Sequence, residues 1–131
     1  MKSTEEILED IFTEGKTTYK FTILKKYSIE IRNITSKDFL EIDEALKDNT
    51  STKIGLAQNY LLERISRIIL SIKDKTFKTP EDCKTFLLSM SSTLSDKILE
   101  EHKKFEKQIK KALEIEEVED AFFDKDASQQ K

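Results

Sequence analysis

Residues 15–46 read GKTTYKFTILKKYSIEIRNITSKDFLEIDEAL. In Thr18–Leu24 the apolar Tyr19, Phe21 and Ile23 alternate with Thr18, Lys20 and Thr22. Tyr27–Arg32 repeats the alternation, with Tyr27, Ile29 and Ile31 set against Ser28, Glu30 and Arg32. Period two in aromatic and β-branched residues predicts two strands, joined as a hairpin at Lys25-Lys26 and spanning about residues 17–33. The turn lacks the usual Asn-Gly or Asp-Gly pair. Two strands alone are marginal in water, so this pair must lie against helices or against a partner's strand. The period then changes. Thr35 is a capping hydroxyl, Asp38 follows three residues later as in a capping box, and Ile34 and Phe39 take the two staple positions. Phe39, Ile42 and Leu46 continue at helical spacing, so the hairpin leads directly into a capped helix.

Working outward, Thr4–Phe12 reads as a short helix with Ile7, Leu8, Ile11 and Phe12 on one side. Gly15 follows its end, where a left-handed cap favours a residue without Cβ. Beyond residue 46, Asp48–Thr52 is a polar loop. A third helix is predicted from about Lys53 to Lys73, with Ile54, Leu61, Ile65, Ile68 and Ile72 in one seam and Tyr60, Leu62 and Ile69 widening it. So broad an apolar arc implies burial on more than one side. Thr79-Pro80-Glu81-Asp82 opens a fourth helix, with Pro in the first turn and acid at the positive end of the dipole. Its buried face is Cys83, Phe86, Leu87 and Met90. The last helix begins within Ser92–Asp96 and carries Leu94, Ile98, Phe105, Ile109 and Ala112, with His102 in the same stripe. From Glu114 the chain turns acidic, and carboxylates oppose the negative end of a helix, which predicts fraying.

These elements predict an α+β fold, mainly helical, with one β-hairpin packed against four to five helices. The domain spans residues 1–118, and 119–131 form an acidic flexible tail. Among the 131 residues there are two Gly and one Pro, a scarcity that favours long helices over a many-turned β fold. Hydrophobic and charged residues each make up 37%, and eight Phe supply core material that disordered chains lack. A chain of this length buries roughly two thirds of its unfolded surface, enough for one core. One cysteine excludes an intrachain disulfide. Met1–Asp10 lacks the apolar core of a signal peptide, and Ile65–Ile72, interrupted by Arg67, is too short to span a bilayer. A cytoplasmic location is expected, with no membrane partner.

Catalysis requires converging His, Cys or carboxylate groups. The single His102 and single Cys83 fall on different predicted helices, and no Gly-rich phosphate loop or metal-ligand spacing is present. The expectation is therefore a protein that is not an enzyme, with no catalytic, metal or cofactor site and no cofactor. Lys103, Lys104, Lys107, Lys110 and Lys111 are the best nucleic-acid candidate. Glu100, Glu101 and Glu106 stand beside them, the formal net charge is −3, and helix-surface ion pairs explain the pattern equally well. Phe122 and Phe123, within an acidic segment, either fold back onto the core or dock into a groove on a partner. An apolar helical surface larger than the domain can cover points to homo-oligomerisation or to holding another chain's helix.

The stretch Gly15–Leu46, taken as one unit, resembles small tail or baseplate assembly chaperones of bacteriophages. Those proteins commonly have a hairpin ending in an I-R-x-L-T step, an acidic residue, and a helix with L-x-I-x-x-A-L. Ile31, Arg32, Ile34, Thr35, Asp38, Leu40, Ile42, Ala45 and Leu46 carry the match. The downstream order is similar: a long apolar helix, a short connector, Pro80 opening a further helix, then a last one. It departs at Ser71–Thr79, where the family often has a glycine-bearing turn and this chain has none. The resemblance implies a chaperone that binds tail, baseplate hub or tape-measure protein before assembly, shields its apolar helical segments, and works in a host bacterial cytoplasm. The alternatives are a structural subunit of the tail or baseplate, and a small nucleic-acid-binding regulator.

Overall fold

A computed structural model describes residues 2–47 and 52–129, the side chains of Lys53 and of residues 115–129 excepted. The elements in order are α1 (Thr4–Glu14), β1 (Thr18–Ile23), β2 (Tyr27–Arg32), α2 (Ser36–Leu46), α3 (Lys53–Ile68), β3 (Ile69–Ile72), β4 (Lys75–Thr76), α4 (Pro80–Leu88) and α5 (Ser92–Gln129). The fold is α+β and mainly helical, as the periodicities predict. Each cap expected from sequence has formed. Gly15 closes α1 at φ 74°, and Thr35 and Asp38 make the reciprocal capping box of α2. Thr79 accepts from a first-turn amide of α4 as expected, and Thr52, read in the sequence only as the end of a polar loop, does the same for α3. The rest of the predicted polar loop, residues 48–51, lies outside the described residues, as do the side chains of Phe122 and Phe123.

The sheet is larger than the single predicted hairpin. Its order is β1-β2-β3-β4, all antiparallel. The predicted third helix ends at Ile68 instead of Lys73, and Ile69–Ile72 turns into a strand on the outer edge of β2. A bulge explains why this strand shows no period of two. Ile29 pairs with Ile72 and Ile31 with Ile69, so three residue steps on β3 match two on β2 and Leu70 is the extra residue. Ile69 and Ile72, which regular alternation would place on opposite faces, are therefore both buried. The same spacing imitates helix periodicity. Hydrogen bonding to β2 decides in favour of a strand, with β-branched isoleucines suited to a pleated surface.

Both hairpins turn on residues with positive φ. Leu24 and Lys25 lie at φ 56° and 55°, and Lys73 and Asp74 at 47° and 68°. Positive φ at both central positions belongs to the type I′ turn, whose twist matches the strands it joins. The first turn thus centres on Leu24-Lys25, one residue before the predicted Lys25-Lys26.

Tyr19, Phe21, Ile29 and Ile31 face the helices, with Tyr19 opposite Ile31 and Phe21 opposite Ile29. The other face pairs Lys20 with Glu30. Ile7 of α1, Ile65 and Ile68 of α3, Cys83 and Leu87 of α4, and Ile98, Phe105, Ile109 and Ala112 of α5 complete one core. Tyr19 stacks on Phe105 at 5.3 Å between centroids, joining sheet to α5. The core lies at the C-terminal end of α3, whereas Ile54 near its start is 74% exposed. No helix among the described residues is long and apolar enough to cross a membrane.

Candidate functional site

The segment from Arg32 to Asp38 forms the floor of an open cleft of about 790 Å³, reached also by Gly15, Glu106 and Leu113. Arg32 donates from Nη1 to Asp38 Oδ2 at 2.6 Å and from Nη2 to Oδ1 at 2.9 Å, and also to the Asn33 carbonyl. Asp38 additionally accepts from the Thr35 amide and hydroxyl. Burial pushes its carboxyl upward, but Arg32 and Thr35 outweigh that effect and hold it at about 2. Asn33 accepts from the Thr17 amide at 2.7 Å and donates to the Gly15 carbonyl, tying the end of β2 to the start of β1. Thr17 in turn donates to Asp10, which Lys2 also reaches. From the other side, Glu106 of α5 accepts from the Ile34 amide at 2.9 Å. Burial raises the Glu106 carboxyl, but the adjacent His102, the Ile34 amide and the charge of Arg64 outweigh it and hold it below the usual carboxylate range. The cleft is thus a joint between α1, β2, α2 and α5, in which Arg32 pairs with Asp38 and Arg67 with Glu41, whereas Glu14, Lys16 and Lys37 of its lining have no ion-pair partner among the described residues.

His102 is fully buried on α5. Its Nε2 lies 3.2 Å from Glu106 Oε1 but is poorly directed for a hydrogen bond, and Nδ1 has no partner among the described residues. Cys83 is also fully buried on α4, and burial pushes its thiol up to about 12, so it carries no thiolate at neutral pH. The structure does not bring His102 and Cys83 together with a carboxylate cluster, and no group of three metal-ligating side chains occurs among the described residues. Lys103, Lys104, Lys107, Lys110 and Lys111 are all exposed on α5, but Lys104 lies 3.3 Å from Glu100 and 3.5 Å from Glu101, and Lys110 lies 3.8 Å from Glu114.

An apolar groove of about 720 Å³ runs between α2 and α3, with Leu46, Leu56, Ala57, Tyr60 and Leu61 as its lining and Asp43 and Lys47 at its rim. Leu56 and Leu61 of the lining remain 40% and 38% exposed, and Leu40 on α2 and Ile54 on α3 are 71% and 74% exposed. The predicted seam of α3 is therefore divided. Ile65 and Ile68 serve the core, and Ile54 and Leu61 serve the surface. Below the groove, α3 is fixed by charge. Glu63 accepts from Arg67 at 2.6 Å and Lys84 at 2.7 Å, and Arg67 reaches Glu41 of α2. Glu63–Arg67 is a local i,i+4 pair, but the ties to Glu41 and Lys84, and the roles of Asn33 and Glu106, had no signal in the sequence, because their partners are distant along the chain.

Compared with known proteins, the chain matches no family model, no curated protein and no solved structure.

Proposed function

We propose that this chain is a non-catalytic binding protein that holds an apolar helical segment of a larger protein in the α2–α3 groove, acting as an assembly chaperone of the phage tail or baseplate kind. The observation that carries this reading is the groove, a concave apolar surface whose lining includes the exposed Leu56 and Leu61, with Leu40 and Ile54 also exposed on the same two helices. Isolated exposed apolar residues are ordinary, but a contiguous apolar patch around a concavity favours association. An amphipathic helix presents side chains at three- and four-residue spacing, which suits a groove between two helices. The resemblance of Gly15–Leu46, carried by residues from Ile31 to Leu46, supplies the phage assignment. In the folded chain those residues build the Arg32–Asp38 joint that orients α2, and hence one wall of the groove.

The test is a tagged pull-down from cells producing the native system, with mass spectrometry of what co-elutes. Recovery of a long helical tape-measure or hub protein supports the chaperone reading. Recovery of nucleic acid alone, or of no protein, contradicts it. Stoichiometric presence in purified mature particles would favour a structural subunit instead.

A further inference from the structure

The two edges of the sheet differ in length. β4 has two residues, too short to template another strand, whereas β1 has six and is bonded on one side alone, to β2. The ladder shows which backbone groups of β1 are free. The Asn33 amide donates to the Thr17 carbonyl and the Lys26 amide to the Ile23 carbonyl, both at 3.2 Å. Hydrogen-bonded pairs of an antiparallel ladder recur at every second residue, so Tyr19, Phe21 and Ile23 turn their amides and carbonyls toward β2. Those of Thr18, Lys20 and Thr22 point away from the sheet, and no other backbone group among the described residues bonds to them. The far side of β2 is already filled, since the Ser28 carbonyl accepts from the Lys73 amide at 2.8 Å. Lys20 and Thr22 are exposed, while α1 approaches the Thr18 end, where Lys2 donates to the Thr18 hydroxyl at 3.3 Å. A cleft of about 500 Å³ opens at that end, lined from both faces of the sheet by Tyr19 on one and Lys20 and Glu30 on the other.

Charge along the edge has one sign. Residues 15–29 hold Lys16, Lys20, Lys25 and Lys26 and no acid. None of the four has an ion-pair partner among the described residues, and Glu30, the cross-strand neighbour of Lys20, lies on the inner side of the strand.

We propose that the free edge of β1 accepts, as an added strand, an extended segment of another protein in which acidic residues alternate with apolar ones. The outward amides and carbonyls of Thr18, Lys20 and Thr22 supply the hydrogen bonds that an added strand needs. Alternation follows from the two faces of the sheet. On the solvent face the incoming residues meet Lys20, which favours acid, and on the helix face they meet Tyr19 and Phe21, which favours apolar side chains. A second copy of β1 fits poorly, because it would set four lysines against four lysines, and edge lysines deter a strand of like charge. No residue of β1 lines the α2–α3 groove, so the inference goes beyond the proposed function and stands or falls independently of it.

Amide hydrogen exchange followed by NMR on the full chain tests it. In the free protein the outward amides of Lys20 and Thr22 should exchange fast, and the inward amides of Phe21 and Ile23 slowly. A short synthetic peptide of alternating Glu and Val, added to about 1 mM, should slow exchange at Lys20 and Thr22 by about tenfold or more. The same peptide N-methylated throughout keeps its charges but has no N–H to donate, and it should give no such protection. A Lys–Val peptide, which has the N–H groups but the wrong charge, should also give none. Exchange that the Glu–Val peptide leaves unchanged, or equal protection by either control peptide, would overturn the proposal. Lys20 and Thr22 amides that are already protected in the free protein would overturn it too, in favour of a second copy where that protection grows with protein concentration.

Discussion

Arg32 and Asp38 form a bidentate ion pair six residues apart, with side chains only 13% and 7% exposed, and this pair joins the end of β2 to the first turn of α2. Both oxygens of the carboxylate meet the guanidinium fork, and the same carboxylate closes the capping box. Removing one partner leaves a buried charge unmatched, which costs about 3 kcal/mol or more. Asp38→Ala and Arg32→Ala should each lower stability by at least that amount in urea unfolding. Arg32→Lys, which keeps the charge but loses the fork, should fall between them and wild type. A loss below about 1 kcal/mol for Asp38→Ala would mean that the pair contributes no more than a surface ion pair.

The same carboxylate predicts acid sensitivity. Its folded value of about 2 lies below the unfolded value of 3.8. A depressed carboxylate stabilises the fold above its unfolded value, and that contribution is lost as pH falls from about 4 towards 2. Glu63, Glu101 and Glu106 are also lowered and add to the loss over a similar range. Melting temperature should therefore drop steeply below pH 4. Asp38→Asn should flatten that drop while lowering the plateau at neutral pH, and an unchanged pH profile would contradict the assignment.

Leu24 and Lys25, and likewise Lys73 and Asp74, occupy positive φ at a steric cost that Gly and Asn do not incur. Leu24 is 84% exposed, so its side chain contributes little packing in return. Replacing Leu24-Lys25 by Asn-Gly should raise stability by about 0.5–1 kcal/mol, read as an upward shift in melting temperature. The same replacement at Lys73-Asp74 should give a smaller gain, because Asp already tolerates the left-handed region. Destabilisation by the first replacement would contradict the turn geometry.

Cys83 should resist a disulfide-exchange reagent in the native protein and react fully once unfolded, since its thiol is buried and held near 12. Rapid native labelling would contradict the placement of α4 on the core.

The hairpin, the caps and the α5 stripe were legible because their signals are local: alternation in Tyr19–Ile31, the Thr35–Asp38 spacing, and Ile98, Phe105 and Ile109 at helical intervals. β3 was not. Its bulge at Leu70 removes the period of two, and its pairing partner lies some forty residues earlier, beyond two helices. The Lys73-Asp74 turn has no glycine to announce it. The groove was half legible. The excess of apolar residues on α3 was plain, but only packing decides that Ile65 is inside and Leu61 outside.

The groove is the centre of the account, and the most direct test compares wild type with Leu56→Ser/Leu61→Ser in the same pull-down from the native system. Both side chains are partly exposed, so each change should alter stability by about 1 kcal/mol or less. Each lost apolar contact worth about 1.4 kcal/mol weakens binding tenfold. The account predicts that the variant keeps its melting temperature within a few degrees and recovers at least tenfold less of the helical partner. Undiminished recovery by a stably folded variant would contradict it.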